Sequence, residues 1–147
     1  MTQSTYDGRC LCGQVRFSIT APLPSLYHCH CSYCRRQSGA GGNAATLVPL
    51  MQFRWLSGQA RIQSWTDDSG FRSDFCGQCG APVPNEISAG GYWWVPAGLL
   101  EDTTDTRVVA DIFTGSSAHW DRASAPTQFD TMPESVAAFV ALLNPES

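Results

Sequence analysis

Phe75-Cys76-Gly77-Gln78-Cys79-Gly80 is the stretch on which the fold turns. Two cysteines three residues apart with glycines beside them form a knuckle turn, in which the glycines permit φ > 0 and both sulfurs leave the backbone on one side. Tetrahedral zinc with Zn–S bonds of about 2.3 Å needs its sulfurs about 3.8 Å apart, so a knuckle supplies two ligands of four. Cys10-Leu11-Cys12 offers the other two, because an extended backbone points residues i and i+2 to the same face. Joined, Cys10, Cys12, Cys76 and Cys79 make a four-thiolate clamp. Such a site is saturated and structural.

Working outward, the remaining cysteines crowd into His28-Cys29-His30-Cys31-Ser32-Tyr33-Cys34-Arg35. An i, i+2 pair and an i, i+3 pair share Cys31, so one strand-to-helix corner can present Cys29, Cys31 and Cys34 to a single metal. Zinc held by three protein ligands keeps a fourth position for water or substrate. Three thiolates on Zn²⁺ leave a net charge of −1, and Arg35 with the helix N-terminus offsets the further charge of an incoming thiolate. The total of seven cysteines is odd and argues against a pure disulfide framework.

Composition narrows the function further. At 147 residues with 43% hydrophobic residues the chain is expected to form one globular domain, 1–147. Met1–Arg9 is polar and no apolar run is long enough to span a bilayer, so no membrane association and a cytoplasmic location with reduced thiols are expected. A net charge of −4 gives no general attraction to nucleic acid. All nine basic residues are arginines, which excludes lysine Schiff-base chemistry and the lysine-bearing phosphate loop.

Around the cysteines the pattern is that of short strands. Gln14–Thr20 alternates, with Val15, Phe17 and Ile19 on one face. Further candidates are Ala44–Val48, Phe53–Leu56, Ala60–Trp65, Phe71–Phe75, Val83–Ile87, Tyr92–Val95 and Arg107–Phe113, separated by turn signals such as Asp67-Asp68-Ser69-Gly70. A helix is expected over Glu134–Leu143, where Val136, Phe139, Val140 and Leu143 recur at helical spacing, and a very short one from Ser32 to Gly39. The predicted fold is therefore mainly β, built of hairpins, with a short C-terminal helix.

The residues resemble the glutathione-dependent formaldehyde-activating family of carbon–sulfur lyases. The resemblance rests on Gly8-Arg9-Cys10-Leu11-Cys12-Gly13-Gln14-Val15, on His28–Arg35 and on Phe75–Gly80, with weaker matches at Ala97–Leu100, from Ile112 to Trp120 and at Pro126–Phe129. It covers a core of about residues 8–133. It implies several coiled antiparallel β-sheets around a structural zinc at Cys10, Cys12, Cys76 and Cys79, and a catalytic zinc at Cys29, Cys31 and Cys34. It also implies glutathione as co-substrate and an S-(hydroxymethyl)glutathione synthase-like reaction, with a small-molecule thiol and an aldehyde or their adduct as partners. Arg35 is the candidate stabiliser of the developing alkoxide. Pro82-Val83-Pro84-Asn85 departs from the more usual apolar continuation after the second knuckle.

A non-enzymatic alternative is a zinc-stabilised binding module of the same fold, in which His28 or His30 closes the corner site. Methionine sulfoxide reduction needs an unligated nucleophilic cysteine, and seven cysteines used as ligands leave none.

Overall fold

The structure, a computed structural model, describes residues 4–145; Met1–Gln3 and Glu146–Ser147 lie outside them, and with them the first part of the polar N-terminal stretch. In chain order its strands are β1 (Thr5–Arg9), β2 (Arg16–Thr20), β3 (Leu26–Cys29), β4 (Asn43–Pro49), β5 (Phe53–Ser57), β6 (Ile62–Thr66), β7 (Arg72–Cys76), β8 (Asn85–Glu86), β9 (Tyr92–Pro96), β10 (Val108–Ile112) and β11 (Thr127–Gln128). Two α-helices accompany them, α1 (Ser32–Ser38) and α2 (Val136–Leu143). The mainly β architecture with a short C-terminal helix is the one the sequence predicts. Two compact units are distinguished, one of residues up to Leu23 with Leu47–Asp105, the other of Pro24–Thr46 with residues from Thr106 onward.

In the first unit β1, β2 and β5 form an antiparallel sheet with β2 in the middle, and β6–β7 and β8–β9 are antiparallel pairs. The inward residues of this unit, Tyr6, Phe17, Ile19, Val48, Phe53, Val95 and Leu100, make one core, and Phe53 stacks on Trp93 at a centroid distance of 4.4 Å. Apolar area removed from water, at about 25 cal/mol per Å², is what such a cluster contributes. β1 escapes the alternation test because one of its two inward positions is Gly8. A Cβ there would lie 2.3 Å from Phe17 Cζ, so the ring occupies the space a side chain would take.

A second, smaller cluster of Cys10, Val15, Cys76 and Val83 lies in the same unit. The proline-rich stretch after the second knuckle explains itself here. Pro82 bridges Phe75 in antiparallel fashion, and the fully buried Val83 donates its N–H to Asp74 O at 2.9 Å. Only Asn85–Glu86 of the expected strand Val83–Ile87 is extended and paired, because prolines on either side of Val83 cannot donate to a ladder.

In the second unit β3 pairs antiparallel with the start of β4, while β10 runs parallel to both β3 and β11. α2 begins after Ser135, whose Oγ accepts from Ala138 N at 3.0 Å, so Glu134 lies just outside the helix. Its Phe139 and Leu143 are buried, and Phe139 meets Tyr27 of β3 edge-on with centroids 4.7 Å apart. Ser25 N donates to Leu143 O at 2.9 Å and closes the helix end onto the start of β3.

Tyr6 gives the first unit a measurable pH dependence. It is 6% exposed and donates to Asp105 Oδ2 at 2.7 Å. Burial and then the hydrogen bond to the Asp105 carboxylate push its phenol from about 10 up to about 12. The raised value favours the neutral phenol in the fold, so its contribution is whole below about pH 10 and is lost as pH rises to about 12. Tyr6→Phe should cost about 1.5–3 kcal/mol at neutral pH. Urea denaturation across the alkaline range should show the variant losing stability less steeply over the same window.

Candidate metal centres

Cys10 and Cys12 follow β1, and Cys76 ends β7. The Cys10–Cys12 pair lies in a turn rather than in the extended segment expected: Gly13 N donates to Cys10 O at 3.1 Å, and Gly13 is left-handed with φ 81°. The second knuckle closes with Gly80 N donating to Cys76 O at 2.7 Å, again on a left-handed glycine with φ 81°. Gly77, by contrast, is not among the residues of positive φ. Its role is steric, since a Cβ would lie 2.8 Å from Arg61 O.

These turns bring Cys10 Sγ to 3.6 Å from Cys12 Sγ, and Cys12 Sγ to 3.8 Å from Cys76 Sγ, and all four sulfurs including Cys79 lie within 4.8 Å of one another. Ligands about 2.3 Å from a tetrahedral zinc are separated by about 3.8 Å, so the donor set fits that ion. Val15 N and Gln78 N point at Cys10 Sγ and Cys76 Sγ from 3.3 and 3.4 Å, the backbone donors that a cluster of thiolates requires. All seven cysteines are free of disulfides.

The second cluster is built at a strand-to-helix corner. Cys29 is the last residue of β3, Cys31 caps α1 with extended backbone (φ −66°, ψ 159°), and Cys34 is buried in the first turn. Cys31 Sγ accepts from Cys34 N at 3.3 Å, and the helix ends at left-handed Gly39, where the sequence places its end. The three sulfurs lie within 4.8 Å of one another. The neighbouring Cys29 and Cys34 thiols, with the N–H groups of Cys34 and Tyr33, lower the pKa of Cys31, while Cys29 and Cys31 raise that of Cys34. Arg35 follows Cys34, and its Nε is buried with no hydrogen-bond partner among the described residues.

Behind this corner stands a polar group that the sequence does not announce. His30 Nε2 is 2.6 Å from Asp111 Oδ1, and His30 Nδ1 is 2.7 Å from Asp121 Oδ2. Burial opposes a charge on the ring, but the two carboxylates outweigh it and raise the pKa of His30. Both ring nitrogens are thus within hydrogen-bond reach of a carboxylate. Asp111 is fully buried; desolvation disfavours its charge, and His30 with the N–H of Ala125 lowers its pKa nonetheless. Its Oδ2 accepts from Ser124 N at 3.1 Å and Ala125 N at 2.7 Å.

His28, His30 and Asp111 also fall within 4.8 Å of one another. The 2.6 Å contact is nevertheless a charge-assisted hydrogen bond, since ligands at about 2.0–2.1 Å from one tetrahedral ion would stand about 3.3 Å apart. Both ring nitrogens of His30 are thus occupied by carboxylates rather than turned to the sulfur trio. His119 is exposed, as is Trp120 beside it.

A mainly β protein whose two cysteine clusters are spaced to bind zinc is the class this geometry defines. The profile of the family described as glutathione-dependent formaldehyde-activating enzyme matches residues 5–116, and the chain belongs to that family. A curated Halomonas elongata protein, named provisionally as a glutathione-dependent formaldehyde-activating enzyme, is 45% identical over 42 residues, which is 28% of this chain and 27% of that protein. The chain thus matches about a quarter of that relative's length. A crystal structure of a Rhodobacter sphaeroides protein is similar in fold, with a TM-score of 0.55 and 22% identity over 65% of this chain and 87% of that one.

Gly42 sets the closeness of the corner to β4. A Cβ on it would lie 2.1 Å from Cys29 O, a backbone atom that cannot step aside alone. Gly42→Ala should therefore destabilise the protein by about 1–3 kcal/mol or more. Amide exchange should accelerate at the β3–β4 pairing and stay unchanged in β6 and β7.

Proposed function

We propose that the protein is a zinc-dependent carbon–sulfur lyase that forms or cleaves an adduct of glutathione or a related thiol, in the manner of an S-(hydroxymethyl)glutathione synthase. Cys10, Cys12, Cys76 and Cys79 hold a structural zinc in this reading, and Cys29, Cys31 and Cys34 a catalytic one. One observation carries it. The corner trio gathers three sulfurs within 4.8 Å, and among the described residues no fourth His, Cys, Asp or Glu joins their group. Of the two adjacent histidines, His30 has both ring nitrogens engaged by carboxylates, and His28 Nδ1 faces Asp111 Oδ1 at 3.6 Å.

A zinc ion bound there supplies a Lewis-acidic fourth position at which a thiol ionises at neutral pH. The chain's own contributions follow from its residues. Cys31 Sγ accepts from the Cys34 N–H, which would take part of its charge as a metal-bound thiolate. Arg35 carries a buried Nε lacking an acceptor among the described residues, and an anionic ligand beside the trio would supply one. The incoming sulfur forms its bond to the aldehyde carbon, the carbonyl electrons move onto oxygen, and Arg35 stabilises the resulting alkoxide until it takes a proton from solvent. Cleavage is the same sequence reversed.

No helix among the described residues is long and apolar enough to cross a membrane. A reducing, cytoplasmic setting suits seven free thiols and a glutathione co-substrate.

Cys31→Ser should retain one zinc per chain and abolish acceleration of exchange between labelled formaldehyde and glutathione, read by exchange NMR against the spontaneous rate. Undiminished acceleration would exclude the corner as the active site. Cys76→Ser should give unfolded or insoluble protein, since structural zinc contributes about 10–16 kcal/mol in small peptides, as much as a domain's whole stability. A soluble variant with native circular dichroism would remove that role.

A further inference from the structure

His30 lies between two of the three corner sulfurs, and extended backbone sends it to the opposite side from Cys29 and Cys31. The ring is 4% exposed and is gripped at both ends, by Asp111 of β10 and by Asp121 of the segment after it. Its backbone is held as well, with His30 N donating to Ile112 O at 3.0 Å. The grip is built to fit. A Cβ on Gly41 would lie 2.6 Å from Asp121 Cγ, so the glycine clears the place where that carboxylate reaches the ring. Asp111 in turn is oriented by the N–H groups of Ser124 and Ala125 on its other oxygen.

We infer that His30 is a positioning residue for the sulfur trio: clamped by Asp111 and Asp121, it fixes the bite between Cys29 and Cys31, so that three sulfurs hold a metal while the fourth position stays free for a thiol. The inference rests on the reading of the corner as a three-sulfur metal site. Both ring nitrogens are engaged by carboxylates, so the ring is held at its two ends rather than presented to a ligand. A ring that could turn would let the corner relax, and partners that orient metal-binding groups typically matter about 10–100-fold in metal affinity or activity.

The test is cadmium-113 NMR on the full chain reconstituted with cadmium, together with chelator competition for each site. The wild type should give two resonances, one of a four-sulfur and one of a three-sulfur environment. In Asp121→Ala and His30→Gln the three-sulfur signal should move or broaden and its affinity fall about 10–100-fold, with the four-sulfur signal as an internal reference that stays put. Asp121→Asn keeps an oxygen to accept from His30 Nδ1 and should restore most of the affinity.

A wild type that takes up one cadmium sinks the reading of the corner itself. Two resonances that do not change in folded Asp121→Ala sink only the role of His30. So does a change of equal size at both sites, which marks a merely structural residue, and so does an Asp121→Asn variant as impaired as Asp121→Ala. Asp121, partly exposed at the surface, is the variant that keeps the question answerable should His30→Gln not fold.

Discussion

Sulfur atoms brought within 4 Å of one another, without being bonded, are the constraint around which this structure is arranged. Thiolates at such spacing repel, and only a cation between them or protons shared among them make the approach tolerable. The backbone must therefore deliver each sulfur with its own N–H donors and with turns tight enough to aim two side chains at one point. Left-handed glycines at 13 and 80 do so for the four-sulfur cluster, and a strand running into a helix cap does so for the three-sulfur one. Strands too short to make a large sheet are sufficient, because their task is to bring these turns together.

The two clusters solve the same problem differently. Four sulfurs arriving from two separated turns satisfy a tetrahedral ion and leave nothing for a ligand to bind. Three sulfurs from six consecutive residues would leave a tetrahedral ion one position short, and Asp111 and Asp121 hold His30, one of the two histidines beside them in the chain. The carboxylates that hold the ring thereby also withhold it. Each cluster lies within one of the two units, so its geometry is set by local packing.

Much of this was legible in the sequence because cysteine spacing reports geometry directly. The two groups of sulfurs, the short helix from Ser32 to Gly39 and the stripe of α2 follow from residues whose type and interval permit few alternatives. β1 was hidden because Gly8 occupies an inward position that Phe17 fills from the neighbouring strand, and a period-two test sees no apolar residue there. β3 was masked by the cysteines at its end, which read first as ligands. Parallel pairing of β10 with β3 carries no local signal at all, since it joins segments about eighty residues apart.

The polar group behind the corner was illegible for a similar reason. Asp111 and Asp121 are 81 and 91 residues from His30, and nothing in the composition of either segment marks them as partners. One hint was present, the paired glycines Gly41-Gly42, whose need becomes visible only once Asp121 and the Cys29 carbonyl are seen pressed against them.

Confining the sulfurs of each cluster to a single unit has an outcome for the protein's life under stress. Oxidants or chelators would meet the four-sulfur cluster first, because its Cys12 is exposed whereas Cys29 and Cys34 of the corner are buried. A molecule so built gives way at its brace before its buried corner is reached.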